Sequence, residues 1–244
     1  MGTIWTVCNM KGGSGKTTTA AALAQCASKE GRRVLSVDLD PQGNLSFTLG
    51  ATQNGGTMQV LQGKEPALYI QKGNAGDVLP GGPDLQTLKS GRGAALLLQK
   101  ALSSYRHRYD LIIIDTPPTP GILQLNALQA ADGVIIPLSP SIYAAQGLAQ
   151  VIKIVREMQQ SNSALHVLGV VVTQKQGRAN VDKQVITAIK EGTERAGLPY
   201  LGEVRAAAAV REAQAMQANL YEYAPNSKPA QDYAGIYAQL TQVK

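Results

Sequence analysis

Cysteine and histidine are nearly absent from this chain of 244 residues, with two of each. Cys8 and Cys26 have neither metal-ligand spacing nor the density of a disulfide scaffold, and both are expected in the core. His107 and His166 stand alone, so no Ser-His-Asp or His-x-x-x-His arrangement can be written around them. Acyl transfer and metal sites built from side-chain clusters are therefore disfavoured. No apolar run approaches the roughly 20 residues of a membrane span. The first residues lack the basic and apolar regions of a secretory signal, and a cytosolic protein is expected. Internal repeats and a clear linker are also missing, while 44% apolar content at this length can bury a full core. One domain spanning 1–244 is the expectation. The formal charge of +6 supports mild attraction to polyanions and identifies no partner.

What is present is an alternation of apolar runs and helical patterns. Strands are predicted at Thr3–Asn9, Val34–Asp38, Leu111–Asp115, Val134–Leu138 and Val167–Thr173, with weaker candidates at Val78–Leu79 and Tyr200–Val204. Helices are predicted at Thr17–Glu30, Arg92–Ser104, Gln124–Ala130, Ala144–Gln160, Val181–Ala196, Ala207–Leu220 and Ala230–Val243. Most of the strands are wholly apolar, as parallel strands buried on both faces should be. The pattern predicts an α/β fold, a doubly wound and mostly parallel sheet with helices on both faces. The Gly- and Pro-rich stretch 50–91 has weak periodicity and is expected to be an excursion with short helices.

Three polar motifs follow strand ends, where the loops of such a sheet converge. The first, Lys11–Thr18, reads KGGSGKTT. A glycine-rich turn that opens a helix presents backbone N–H groups and the positive end of the helix dipole to one anion, so this is a phosphate cradle of the P-loop kind. Lys11, Gly12, Gly13, Ser14, Gly15, Lys16, Thr17 and Thr18 are its candidate contacts, with Lys16 reaching the terminal phosphates and the Thr17 hydroxyl ligating Mg²⁺. The usual G-x-x-x-x-G-K-[ST] spacing is not met, because Met10 stands where the first glycine belongs. Lys11 is then a second cation with no role in a simple cradle.

In the second motif, four aliphatic residues of Leu111–Ile114 end in Asp115, the way a Walker B strand delivers a carboxylate to the magnesium shell. The third is Asp38-Leu39-Asp40-Pro41-Gln42-Gly43-Asn44, which places two carboxylates two residues apart, so that both can face the same side of an extended segment. Its Asp, Pro, Gly and Asn also suit a polar turn.

Together these motifs resemble the deviant Walker ATPases of the ParA, MinD and Soj-like superfamily, and the likeness extends from Thr3 to about Leu240. The resemblance implies ATP and Mg²⁺ as nucleotide and cofactor and a homodimer when ATP is bound. Lys11 then crosses the dimer interface to the partner's nucleotide. Asp40 is tied to the attacking water, and Asp38 supports the Mg²⁺ and Lys16, so that Thr17, Asp38, Asp40 and Asp115 form the candidate metal set. Slow hydrolysis gated by dimerisation is implied. No Asn-Lys-x-Asp guanine signature is present, which favours adenine. Where many relatives carry proline in the segment 203–205, this chain has Val204.

From Lys175 to Arg211 there are seven basic residues against four acids, which suits a solvated helical face. The resemblance points instead to nonspecific double-stranded DNA, with Lys175, Arg178, Lys183, Arg205 and Arg211 as candidate contacts. It further implies a ParB-like centromere-binding adaptor, nucleoid association, and DNA partition, or the positioning of another cargo, as the function. Only ten residues precede Lys11, so no N-terminal helix-turn-helix domain is expected.

Rival readings share the fold. MinD-like relatives end in a basic amphipathic membrane helix; here Tyr233, Ile236, Tyr237 and Leu240 form an apolar stripe without a basic face, and packing on the domain is expected instead, with no membrane partner. Four of the nine tyrosines lie between Tyr221 and Tyr237, as in bacterial tyrosine kinases, but at spacings suited to packing. Iron–sulfur relatives need paired cysteines that are not found here. A biosynthetic ligase such as dethiobiotin synthetase would share the cradle but not the DPQGN segment.

Overall fold

The computed structural model describes residues 1–141, 143–176 and 180–242. Its strands are β1 Thr3–Val7, β2 Val34–Asp38, β3 Gln71–Gly73, β4 Gly76–Leu79, β5 Leu111–Asp115, β6 Gly133–Leu138, β7 His166–Lys175 and β8 Tyr200–Arg205. The helices are α1 Lys16–Lys29, α2 Asn44–Thr48, α3 Thr57–Leu61, α4 Leu97–Ser103, α5 Ile122–Ala130, α6 Ala144–Gln159, α7 Asn180–Arg195, α8 Ala208–Ala215, α9 Leu220–Tyr223 and α10 Lys228–Gln242.

The strands form one sheet in the order β3-β4-β2-β5-β1-β6-β7-β8, parallel throughout except for the antiparallel pair β3–β4. Strand β5 shows why an unbroken aliphatic run makes an inner strand. Leu111 to Ile114 are all inaccessible to solvent, Ile112 and Ile114 joining the core on one face of the sheet while Leu111 and Ile113 join the core on the other. In the register Asp38 lies opposite Asp115, and Asp115 lies opposite Val7. The loops after β1, β2 and β5 therefore leave the sheet at one level, beside the point where the chain order reverses.

Helix α1 is alanine-rich and nearly buried along Thr19–Ala27, so it can sit close against the sheet. Helix α10 covers the same face. Its stripe of Tyr233, Ile236, Tyr237 and Leu240 is almost wholly buried, and Tyr237 meets the edge of Trp5 at 6.2 Å between ring centroids. The stripe packs on the domain, as expected, and that face is not open to lipid. Among the described residues no helix is long and apolar enough to cross a membrane.

Differences from the sequence expectation have local causes. β1 stops at Val7 because Asn9 turns the chain, its amide donating to the Pro137 carbonyl at 2.6 Å and its oxygen accepting the Lys11 N–H at 3.0 Å. The predicted helix Arg92–Ser104 opens with a 3-10 turn, Ala94–Leu96, before α4. The predicted helix Ala207–Leu220 is broken into α8 and α9: Gln217 takes a left-handed φ of 50°, and Asn219 caps the second piece by accepting the Tyr221 N–H. Both weak strand candidates are strands. The excursion 50–91 carries short α3 and also β3, a three-residue edge strand too short and too polar for periodicity to reveal.

Candidate nucleotide site

The turn between β1 and α1 depends on glycine. Gly13 and Gly15 hold φ of 70° and 83°, and nothing lies within 4 Å of where a Cβ would stand on Gly12 or Gly13, so the loop faces open space. A Cβ on Gly15 would come within 3.1 Å of Thr173 at the end of β7, which packs against the loop. Ser14 is buried, and its hydroxyl has no hydrogen-bond partner. Lys16 is only 6% exposed and donates to the Lys11 carbonyl at 3.2 Å. Burial lowers its pKa, against the fields of Asp115, Cys8 and Asp40, which raise it. Thr18 accepts from Gln214 of α8 at 3.2 Å.

Below the loop lie the predicted carboxylates. Thr17 Oγ1 donates to Asp115 Oδ2 at 2.6 Å. Asp115 is fully buried, and burial together with nearby Asp38 raises its pKa well above the usual carboxylate range. Burial likewise pushes Asp38 up to about 6, against three donors that stabilise its charge. These donors are the Asp40 N–H at 3.0 Å, the Ser46 N–H at 2.8 Å and the Ser46 hydroxyl at 2.7 Å. Asp38 is thus the anchor of the loop that carries Asp40. Asp40, 7% exposed, accepts the Gln42 N–H at 3.0 Å, the local bond of an Asx turn. Lys11 extends to Ser141, which accepts from its ammonium at 2.9 Å.

These residues fit Mg²⁺ and a triphosphate. A Thr hydroxyl beside a Walker-type carboxylate, a lysine within the cradle and an orphaned serine hydroxyl are donors and acceptors awaiting partners. Among the described residues no three His, Cys, Asp or Glu side chains converge as a ready-made metal cage. Mg²⁺ held through one or two protein oxygens, phosphates and water requires none.

Beside the cradle a cavity of about 520 Å³ is lined by Gly15, Thr18, Gln176, Arg205, Arg211 and Gln214, among others. Its size suits a nucleoside.

Sequence comparison then decides the family. A model described as AAA domain matches residues 2–167. The chain is 40% identical over 180 residues to the chromosome-partitioning ATPase Soj of Thermus thermophilus, covering 72% of this chain and 71% of the relative. The chain belongs to the ParA/Soj family of ATPases. Among solved structures, cobyrinic acid a,c-diamide synthase of Mycobacterium smegmatis with bound ADP and magnesium is 32% identical, with a TM-score of 0.76 over 94% of this chain and 98% of that one. The cell division ATPase MinD of Pyrococcus furiosus, 23% identical with a TM-score of 0.82 over 100% of both chains, shares the fold.

In this ParA/Soj-family ATPase Lys175 lies opposite Arg205 in the β7–β8 register, and carboxylates of the same subunit take up both of these candidate DNA cations. Lys175 pairs with Glu203, which also accepts from Lys190 at 2.7 Å. Burial raises the Glu203 pKa, but the two ammonium groups outweigh it and hold the carboxyl down at about 2. Arg205 pairs with Asp232 at 2.6 and 2.9 Å. Arg211 is exposed at the cavity beside Arg205, and Lys183 is exposed on α7. Arg178 lies outside the described residues.

Sequence reasoning did not find Ser46, Ser141, Thr173, Gln174 or Gln214. Each reaches the site across a tertiary contact. The local signal was at Thr173 and Gln174, the polar last residue of the predicted strand Val167–Thr173 and the residue after it.

Proposed function

We propose that this chain partitions plasmid or chromosomal DNA by Mg²⁺-dependent ATP hydrolysis, dimerising on ATP, binding nonspecific double-stranded DNA and letting go when an adaptor of the ParB kind on the cargo stimulates hydrolysis. In this reading it works as a single domain at the nucleoid in the cytosol. The backbone N–H groups of the loop and the Lys16 ammonium hold the triphosphate, and adenine occupies the cavity between Thr18 and Arg211. Mg²⁺, when bound, neutralises phosphate charge, with Thr17 and Asp115 holding it. Asp40, fixed by Asp38 and Ser46 beneath it, orients the water for in-line attack.

The observation that carries the reading is Lys11. Among the described residues its ammonium makes no ion pair and is satisfied within its own subunit by one neutral hydroxyl, that of Ser141. A charge left uncompensated beside the phosphate loop can be offered to a second copy's nucleotide, which makes turnover depend on dimerisation as an arginine finger does. The test is Lys11→Ala. Mononucleotide binding stays at the parent level, while ATP-dependent dimerisation and turnover fall; a variant that dimerises and turns over like the parent refutes the cross-subunit role. Salt-sensitive duplex binding with ATP but not ADP is the companion result.

A second reading, a P-loop biosynthetic ligase, is favoured by the 32% identity to the diamide synthase. It requires ADP release to depend on an added carboxylic acid substrate and to be indifferent to DNA.

A further inference from the structure

We infer that Gln174 is a positioning residue of the phosphate cradle, an inference that rests on the nucleotide-binding reading above: its side-chain amide ties the Gly13 carbonyl outward and so turns the next N–H inward.

The end of β7 lies against the glycine-rich loop. Thr173 Oγ1 donates to the Ser14 carbonyl at 2.9 Å, and Gln174 Nε2 donates to the Gly13 carbonyl at 2.9 Å. In a trans peptide the C=O of one residue and the N–H of the next point in opposite directions. Holding the carbonyls of Gly13 and Ser14 toward β7 therefore fixes the N–H groups of Ser14 and Gly15 toward the other side of the loop, the side a phosphate would occupy.

Neighbouring residues in a regular strand point to opposite faces and could not both reach one loop. Here the register with β8 slips between Val172 and Lys175, and Gln174 adopts a φ of 54°. Gln174 and Gln217 are the two non-glycine residues with positive φ among the described residues. That conformation is disfavoured for any residue with a Cβ. The irregularity gives both side chains the same target, which is the use bulges serve beside functional sites. Gln174 is exposed apart from this bond and lines the nucleoside-sized cavity, so the contact is not explained by core packing.

The test compares Gln174→Ala, Gln174→Gly and Gln174→Glu in the full chain, measuring equilibrium dissociation constants for ATP and ADP together with thermal unfolding without nucleotide. Loss of one such hydrogen bond raises both dissociation constants alike, by about 3- to 10-fold, in the Ala and Gly variants. Gln174→Glu, which keeps the length but turns an oxygen on the Gly13 carbonyl, loses at least as much. Glycine accepts the left-handed backbone, so Gln174→Gly unfolds at or above the temperature of Gln174→Ala, and it carries the test where Gln174→Ala does not fold. Parent-like dissociation constants in all three variants, or their restoration by glycine alone, overturn the inference and leave the ATPase reading standing. A parent chain that binds neither nucleotide overturns both.

Discussion

Lys16 and the cations of the carboxyl-terminal third are surrounded by acids in opposite ways. Around Lys16 the carboxyl groups of Asp40 and Asp115 are buried close by, yet among the described residues neither pairs with it directly, and its ammonium rests on a backbone carbonyl. In the later region Glu203 takes up Lys175 and Lys190, and Asp232 takes up Arg205. One region keeps its charges apart and ready for a ligand; the other takes up Lys175, Lys190 and Arg205 within the subunit. Seven bases against four acids therefore overstates the positive charge that the segment offers to a polyanion.

The largest break in this contrast should come from Lys16→Ala. Removing Lys16 takes its ammonium from beside Asp115 and Asp40 and, in the proposed role, from the phosphates. With a hydrogen bond to a charged group worth about 1.5–3 kcal/mol, ATP affinity should fall about 10- to 100-fold by isothermal titration calorimetry. Next, Thr17→Val keeps the side-chain volume but loses the hydroxyl bonded to Asp115. Steady-state assays should show turnover falling at least about 10-fold with a weaker response to Mg²⁺, while metal-free ADP binding changes little.

A pH titration sharpens the same comparison. Asp38 is raised to about 6, so it favours the folded state when protonated; that stability is complete below about 4 and is lost as pH rises through 6. Buried Asp115 acts in the same direction. Asp110 and Glu203, held down at about 2, have the opposite slope, but their contributions change only below about pH 4.5. Scanning calorimetry without nucleotide or Mg²⁺ should therefore show a lower melting temperature at pH 7.5 than at pH 5.

The smallest effect belongs to the neutralised region. Glu203→Gln removes the shared counter-charge of Lys175 and Lys190 and, if DNA binds this face, strengthens ATP-dependent binding. The slope of log affinity against log salt should steepen by about 0.9 for each new phosphate contact. Fluorescence anisotropy at several salt concentrations measures it.

The convergence of the glycine-rich loop and the three acids was legible because each lies in a contiguous motif at the end of an apolar run: Lys11–Thr18 after β1, Asp38–Asn44 after β2, Asp115 after Leu111–Ile114. Parallel pairing then brings Asp38 opposite Asp115 without further instruction. What holds those groups in place was not legible. Ser46 lies eight residues beyond Asp38, and Ser141 lies 130 residues beyond Lys11. Gln174 needs an irregular strand to reach Gly13, and periodicity carries no trace of a bulge. The break at Gln217 was hidden for a related reason, since a left-handed glutamine leaves no glycine to announce it.

The single tryptophan, Trp5, is 4% exposed and lies edge-on to Tyr237 of the last helix. Its emission is consequently a built-in optical gauge of whether that helix remains docked. A red shift arising before the loss of far-ultraviolet ellipticity would mean that the carboxyl-terminal segment peels away first, something visible in a cuvette without any label.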